Sequence, residues 1–331
     1  MNQAHECESR SRNLAPKKAL WWLILLPALL HAQAPRDAAP NSCSAVPAES
    51  CRLLLCNGFE PPMSAGACSG GGKASNPFGS PWDYCTPSSQ NHLNIITAGA
   101  PAPTAIDGTR VADIQYTCRG VPQDEQCDVN LYFQKNFPAN TQHVAVRGYV
   151  YFSSAAKPLY GQRKIYYFKN PEETGFVVLT SDVTSYSVSR CNQAERLKLR
   201  VDYGPNEQGD ESPLFSTGSG CNLAFDSWHS VEIEIQLNSC ERCNDGFINT
   251  WVDGVQDEGM SAAHLRVMDA ASPGIGKVEV GRQFDPWQCS GSRCQPSNTG
   301  DEHRYWDHLA IAAGAQIASP CPSTGCIGRD P

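Results

Sequence analysis

The chain has 331 residues, a formal charge of −8, 40% hydrophobic content and 16 cysteines. It is too apolar and too weakly charged to be intrinsically disordered. An acidic balance excludes a general nucleic-acid binder, which needs a basic face. With 27 glycines and 24 prolines the composition leans towards turns and short strands.

At the N-terminus an apolar run, Ala19 to Leu30, follows Lys17-Lys18 and precedes Ala32-Gln33-Ala34. The run is too short to span a bilayer, which takes about 20 residues. Positive flank, short apolar stretch and small-residue site are the pattern of a signal peptide. Residues 1–34 are therefore expected to be removed, leaving a secreted or periplasmic chain that is not embedded in a membrane. Cys7 leaves with that segment, so the mature chain holds an odd number of cysteines. Residues 35–58, with Cys43, Cys51 and Cys56, read as a Cys-rich lead-in, residues 59–317 as one domain, and residues 318–331 as a stapled tail.

In an oxidising compartment close cysteine spacings read as disulfides. Cys118 with Cys127, Cys289 with Cys294, Cys321 with Cys326, and Cys191 with Cys221 are the expected staples. Cys240-Glu241-Arg242-Cys243 has neither the two further ligands of a zinc site nor the βαβ setting of a redox motif, so it too reads as structural.

From about residue 109 the chain becomes a series of short alternating segments bounded by turn residues. In chain order the predicted strands are Val144–Phe152, Lys164–Phe168, Phe176–Thr180, Leu197–Val201, Val231–Asn238, Phe247–Val252, Lys277–Gly281 and Tyr305–Ile311. Val231–Asn238 is strictly period two, a strand with one buried face. Asp245-Gly246 and Asp253-Gly254 bracket Phe247–Val252, and Asp-Gly between β-rich segments marks a hairpin. Sustained helical periodicity is missing; Ala262–Ala271 is expected to hold one or two helical turns. Many short strands without intervening helices give an all-β fold, an antiparallel two-sheet jelly roll or β-sandwich.

Three segments resemble the concanavalin A-like jelly rolls, the broad group that holds laminin-G-type lectin modules and several polysaccharide lyase families. They are Val146-Arg147-Gly148-Tyr149-Val150-Tyr151-Phe152; Trp228 to Glu234 continuing through the two Asp-Gly turns; and Tyr305-Trp306-Asp307-His308-Leu309-Ala310-Ile311-Ala312. The resemblance covers roughly residues 140–315 and implies a jelly roll with a polysaccharide partner. One fold hosts many functions, so the activity has to come from the site. The chain has no Gln-Ile-His segment of the alginate-lyase type, and Asn170-Pro171 interrupts what would follow Tyr166-Tyr167-Phe168-Lys169.

Along Val144–Phe152 one face carries Val144, Val146, Val150 and Phe152 with Gly148. The other carries His143, Arg147, Tyr149 and Tyr151. Alternate residues stand about 6.5–7 Å apart, comparable to a sugar-ring repeat. Tyrosines would lie against sugar rings and Arg147 would hold a uronate carboxylate. Lys198 with Arg200, Lys164 with Tyr166, and Trp306 with His308 are expected as similar polar-face pairs. β-Elimination from a uronic acid needs a cation for the carboxylate, a base for the C5 proton and an acid for the leaving oxygen. Arg147 would neutralise, and Tyr149 or His143 would take the proton. The competing readings are a non-catalytic lectin-like module and a structural surface protein whose polar strand faces are simply solvated, with Tyr149 and Tyr151 lying beneath a loop. Glu232 and Glu234, at i and i+2, also raise a retaining glycosidase, whose carboxyl groups stand about 5–5.5 Å apart. No cofactor is expected; Asp245, Asp253 and Asp257 offer hard oxygen ligands suited to a structural calcium, but turn chemistry is the better account of the first two.

Overall fold

The computed structural model describes residues 52–59, 66–67, 74–75, 82–86, 92–106, 108–117, 132–154, 160–171, 176–183, 196–204, 214–217, 223–239, 245–261, 274–290, 293–296 and 301–314. Residues 1–34, expected to be a signal peptide, the tail after residue 318 and Ala262–Ala271 lie outside the described residues.

Among the described residues the chain forms nineteen strands and no helix. The first nine are β1 (Arg52–Asn57), β2 (Gly66–Ala67), β3 (Ala74–Ser75), β4 (Tyr84–Thr86), β5 (His92–Thr97), β6 (Arg110–Thr117), β7 (Tyr132–Asn136), β8 (His143–Phe152) and β9 (Tyr160–Lys169). Then come β10 (Phe176–Val183), β11 (Arg196–Gly204), β12 (Leu214–Thr217), β13 (Leu223–Ala224), β14 (Trp228–Gln236) and β15 (Phe247–Val252). The last four are β16 (Val255–Ser261), β17 (Lys277–Ser290), β18 (Arg293–Pro296) and β19 (Asp301–Gly314). Every strand expected from periodicity is present, most of them longer than expected.

The strands make two sheets. The first runs β16-β15-β14-β8-β19-β6-β5-β2, with β1 on β19. The second runs β12-β11-β10-β9-β17-β7-β4-β3, with β13 on β11 and β18 on β17. The pairings are antiparallel throughout. No helix of the described residues is long and apolar enough to cross a membrane.

The core lies between the sheets. Val144, Val146, Val150 and Phe152 of β8 and Val231, Ile233 and Ile235 of β14 meet Phe133, Tyr166, Phe168, Val278 and Val280 of the second sheet in one buried cluster. Burying each such side chain stabilises the fold by roughly 1.5–3 kcal/mol. Tyr166 ties the sheets together, its hydroxyl donating to the Val231 carbonyl at 2.9 Å. Burial, and next the nearby Glu232, push that phenol well above its ordinary range and keep it a donor. Gly148 is required beside it: a Cβ there would stand 2.4 Å from Leu309 Cδ2 and 3.1 Å from the Tyr166 hydroxyl. A buried ion pair, Arg304 Nε to Glu302 Oε1 at 2.6 Å, sits on the same inner face, with the guanidinium 4.4 Å over the Tyr116 ring.

Two register shifts break the strict alternation assumed from sequence. The first lies in β19, between Asp307 and Ala310 where it pairs with β8. Trp306 stays in the core; strict period two would put His308 beside it, but the bulge gives that position to Leu309. His308, at φ 46°, turns outwards. The second shift affects β9, where pairing slips against both β10 and β17. Tyr166 keeps the core, while Lys164 sits on the other face with its ammonium 5.3 Å over Tyr167. Neither expected pair, Lys164 with Tyr166 or Trp306 with His308, therefore shares a face.

Candidate functional site

Strand register lays out the face of the first sheet that points away from the core as a grid. One cross-strand row is Trp228, Tyr151, Tyr305 and Asp113; the next is Ser230, Tyr149 and Asp307. Then come Trp251, Glu232, Arg147 and Ala310; Asn249, Glu234, Ala145 and Ala312; and Phe247, Gln236, His143 and Gly314. Successive rows are about 6.5–7 Å apart. The polar side of Val231–Asn238 was expected to meet solvent. It is buried instead: Glu232, Glu234, Gln236, His143 and Arg147 are all shielded, Arg147 being 2% exposed.

Burial forces these groups to pair. His143 Nε2 lies 2.7 Å from Glu234 Oε1, both side chains fully enclosed, and Asn249 Nδ2 donates to the second carboxylate oxygen at 3.4 Å. Phe247 presents its edge to the His143 ring at 6.2 Å. Arg147 stands directly opposite Glu232. The two glutamates that raised a glycosidase thus belong to different partners. Beside Glu232, the buried Trp251 Nε1 has no hydrogen-bond partner.

His143 is four residues from Arg147 and six from Tyr149, about 13 and 20 Å along an extended strand. It belongs to a different part of the face from Tyr149. The imidazole next to Tyr149 is His308, its ring edge-on at 6.4 Å and 87°. Asp307 fixes the bulge that puts it there: its Oδ1 accepts from the His308 N–H and its Oδ2 from the Ile106 N–H, each at 2.8 Å. Tyr149 is 7% exposed and His308 half-buried.

The outermost row is aromatic. Tyr151 packs edge-on against Trp228 at 5.6 Å and Tyr305 at 5.9 Å, and His303 stacks on Tyr305 at 5.7 Å with planes 10° apart. His303 Nδ1 is held by Asp113 at 2.9 and 3.2 Å. Burial, and next Asp113, push the Tyr305 phenol up to about 12. Tyr151 is raised by burial and by Asp226, to which it bonds. The segment between β5 and β6 lies against this row, with Ala102 and Ala105 on the rings and the Thr104 carbonyl accepting from Trp228 Nε1 at 2.8 Å. Tyr151 is therefore partly roofed.

Sequence reasoning gave no role to His229. The Ala224 N–H donates to its Nε2 at 2.9 Å, so Nδ1 carries the proton and donates to Asp253 Oδ2 at 2.9 Å. Asp253 also accepts from the Ser230 N–H, and Asp245 from the Ser239 N–H. Both aspartates are thus engaged in fastening turns. Among the described residues no group of three or more His, Cys, Asp or Glu is gathered for a metal.

The side chains of Lys198 and Arg200 lie outside the described residues; by register Lys198 faces Asp182, and Arg200 lies between Thr180 and Thr217. Cys118, Cys127, Cys191, Cys221, Cys240, Cys243, Cys321 and Cys326 also lie outside. The backbone puts Cys289 directly opposite Cys294 across the β17–β18 hairpin. Cys85, which the spacing argument left out, is disulfide-bonded.

No family model matches the chain, and no curated protein matches it. Among solved structures it is similar to a double mutant of the alginate lyase Aly36B in complex with an alginate trisaccharide, at 13% identity and a TM-score of 0.47, covering 82% of this chain and 100% of that one. It is also similar to the marine PL-14 alginate lyase from Aplysia kurodai, at 16% identity, TM-score 0.40 and coverage of 66% and 86%. A third is the alginate lyase vAL-1 from Chlorella virus, at 12% identity, TM-score 0.41 and coverage of 66% and 88%. The class the described strands define is an antiparallel two-sheet β-sandwich with a buried polar outer face.

Proposed function

We propose that the protein is an exported carbohydrate-active jelly roll that binds an anionic polysaccharide on the outer face of its first sheet and cleaves it by β-elimination. One observation carries the reading: Arg147, Tyr149 and His308, a cation, a phenol and an imidazole, come from β8 and the β19 bulge onto adjacent rows. These are the three roles elimination from a uronate requires. Arg147 would neutralise the carboxylate and stabilise the charge that develops when the C5 proton leaves. His308 would take that proton; the C5–H electron pair forms the C4–C5 double bond, the C4–O bond breaks, and the leaving oxygen takes the Tyr149 proton. The proton then returns from imidazolium to phenolate, which resets the site. His143, paired with Glu234 in another part of the face, takes no part in this reading. Tyr151 and the aromatic row would hold a neighbouring sugar.

The reading in which this face is structural and neither binds nor cleaves is favoured by the burial of Arg147 and by the segment lying on Tyr151. The test is to incubate the mature chain with uronate-rich polysaccharides and follow the ultraviolet absorbance of unsaturated uronate ends. Wild type should generate that chromophore. Tyr149→Phe and His308→Gln should bind normally and lose turnover by about 10²–10⁴-fold. Binding by wild type without the chromophore would leave the lectin reading, and no binding of any uronate polymer would end both. Purified from the native host, the protein should begin at or near Pro35 by N-terminal sequencing; Met1 retained on a membrane-bound product would overturn export.

A further inference from the structure

The connection between β5 and β6 is a strap laid across the outer face of the first sheet. Backbone pairing continues one step past β5, the Ala98 N–H donating to the Thr109 carbonyl at 2.8 Å. Just beyond that bond stand Gly99 at φ +114° and Gly108 at φ +73°, one on each limb. Both conformations suit glycine and few other residues, so a pivot is built into each limb where the pairing ends. The Gly99 N–H bonds to the Pro103 carbonyl at 3.2 Å, which folds residues 99–103 into a turn of their own.

The strap reaches over three strands. Trp228, Tyr151 and Tyr305 sit side by side on β14, β8 and β19, a row about 10 Å long. Ala102, 7% exposed, and Ala105 rest on it. Among the described residues two hydrogen bonds fasten the strap to the sheet. Trp228 Nε1 donates to the Thr104 carbonyl and the Ile106 N–H to Asp307 Oδ2, each at 2.8 Å. The first is exposed, so water replaces both partners when it breaks. Alanine side chains give up little apolar area on leaving the rings. Gly99, Ala100, Pro101 and Thr104 already face solvent. A segment held by few buried contacts and by solvent-exposed bonds belongs to the parts of a fold that open at least cost.

What lies beneath does not depend on the strap. His303 stacks on Tyr305 and is held by Asp113, while Tyr151 packs on Trp228 and bonds to Asp226. Asp307 Oδ1 stays on the His308 N–H when Oδ2 is released, so lifting the strap leaves the β19 bulge in place.

On the reading of this face as the polysaccharide site, we propose that the strap is an autoinhibitory gate. Closed, it takes the place of a sugar ring on Tyr151 and Tyr305; a uronate chain binds there only as the strap lifts. Released from the Thr104 carbonyl, Trp228 Nε1 donates to a sugar hydroxyl instead. The C–H face of the ring then lies where Ala102 and Ala105 lay. Because the closed form competes with the ligand, the measured affinity is the intrinsic one reduced by the open fraction.

The test joins amide hydrogen exchange with calorimetric binding of mannuronate and galacturonate tetrasaccharides. Binding ordinarily protects the amides it covers. Here the Ile106 amide should exchange about tenfold faster in the complex, because the strap has left Asp307. Gly99→Ala probes the gate without touching the rings. A Cβ at that position meets nothing within 4 Å, so the substitution strains only the φ of the closed strap. It should speed Ile106 exchange in the free protein and tighten tetrasaccharide binding, each by about fivefold. A tetrasaccharide that binds while slowing Ile106 exchange, or a Gly99→Ala variant that binds no tighter than wild type, overturns the gate and leaves the sugar-binding reading standing. No tetrasaccharide binding by either protein overturns both.

Discussion

The two outer faces of the sandwich handle buried charge differently. On the first sheet, charges face one another singly across neighbouring strands: His143 against Glu234, Arg147 opposite Glu232, His303 against Asp113. On the second, the cations converge. Lys164, Lys169 and Arg282 stand 5.3, 5.2 and 4.2 Å from the centre of the buried Tyr167 ring, and Glu279 bridges Lys277 and Arg282. A charge that faces one counter-charge leans on it strongly, so removing that counter-charge weakens the buried pair. A shared ring and a shared carboxylate distribute the attraction, so each contact is replaceable. The first arrangement holds side chains at defined positions; the second coats a sheet.

The largest effect should come from the first face. Glu234→Gln keeps the shape but removes the charge that holds His143, and should destabilise the domain by about 1.5–3 kcal/mol in urea unfolding, the scale of a hydrogen bond to a charged group. An unchanged midpoint would show that the one-to-one pairing holds nothing. On the second face the effect should be smaller and depend on the ring. Tyr167→Leu should cost about 0.5–2 kcal/mol through lost cation–π attraction, whereas Tyr167→Phe, which keeps the ring, should be nearly neutral. Equal losses in the two variants would mean that the hydroxyl, not the π-face, organises the cations.

The smallest effect is one of pH. Tyr305 has its pKa raised from 10.0 to about 12. The folded state therefore holds that proton more tightly than the unfolded chain. Its contribution is fully present below pH 10 and is lost as pH rises from 10 towards 12. Tyr305→Phe should flatten the alkaline fall in stability across that window, measured as midpoint against pH. A fall identical to wild type would show that other groups govern it.

Much of the fold was legible because period two is a local signal. Val231–Asn238, the Asp-Gly turns and the alternation of Val144–Phe152 each announce a strand without reference to the rest of the chain. The face carrying His143, Arg147, Tyr149 and Tyr151 was likewise readable, since alternate residues on one strand must share a side. What could not be read was where the period breaks. Neither the bulge between Asp307 and Ala310 nor the slip between Lys164 and Tyr166 has a local residue signature. Each arises from fitting one strand against two neighbours at once. Those two irregularities decide that Trp306 and Tyr166 are core and that His308 reaches Tyr149.

The sequence by itself determined the fold class, the strand segments and the residue types each face would carry, because backbone pleat and apolar alternation are written within a few consecutive residues. Only the tertiary structure decided that the polar face is buried and not solvated, that Glu234 pairs with His143 while Glu232 faces Arg147, and that His308 stands beside Tyr149. Pairing across strands joins residues as far apart as positions 143 and 234, and such contacts depend on register. Register is set by the packing of two whole sheets against each other, not by any one segment.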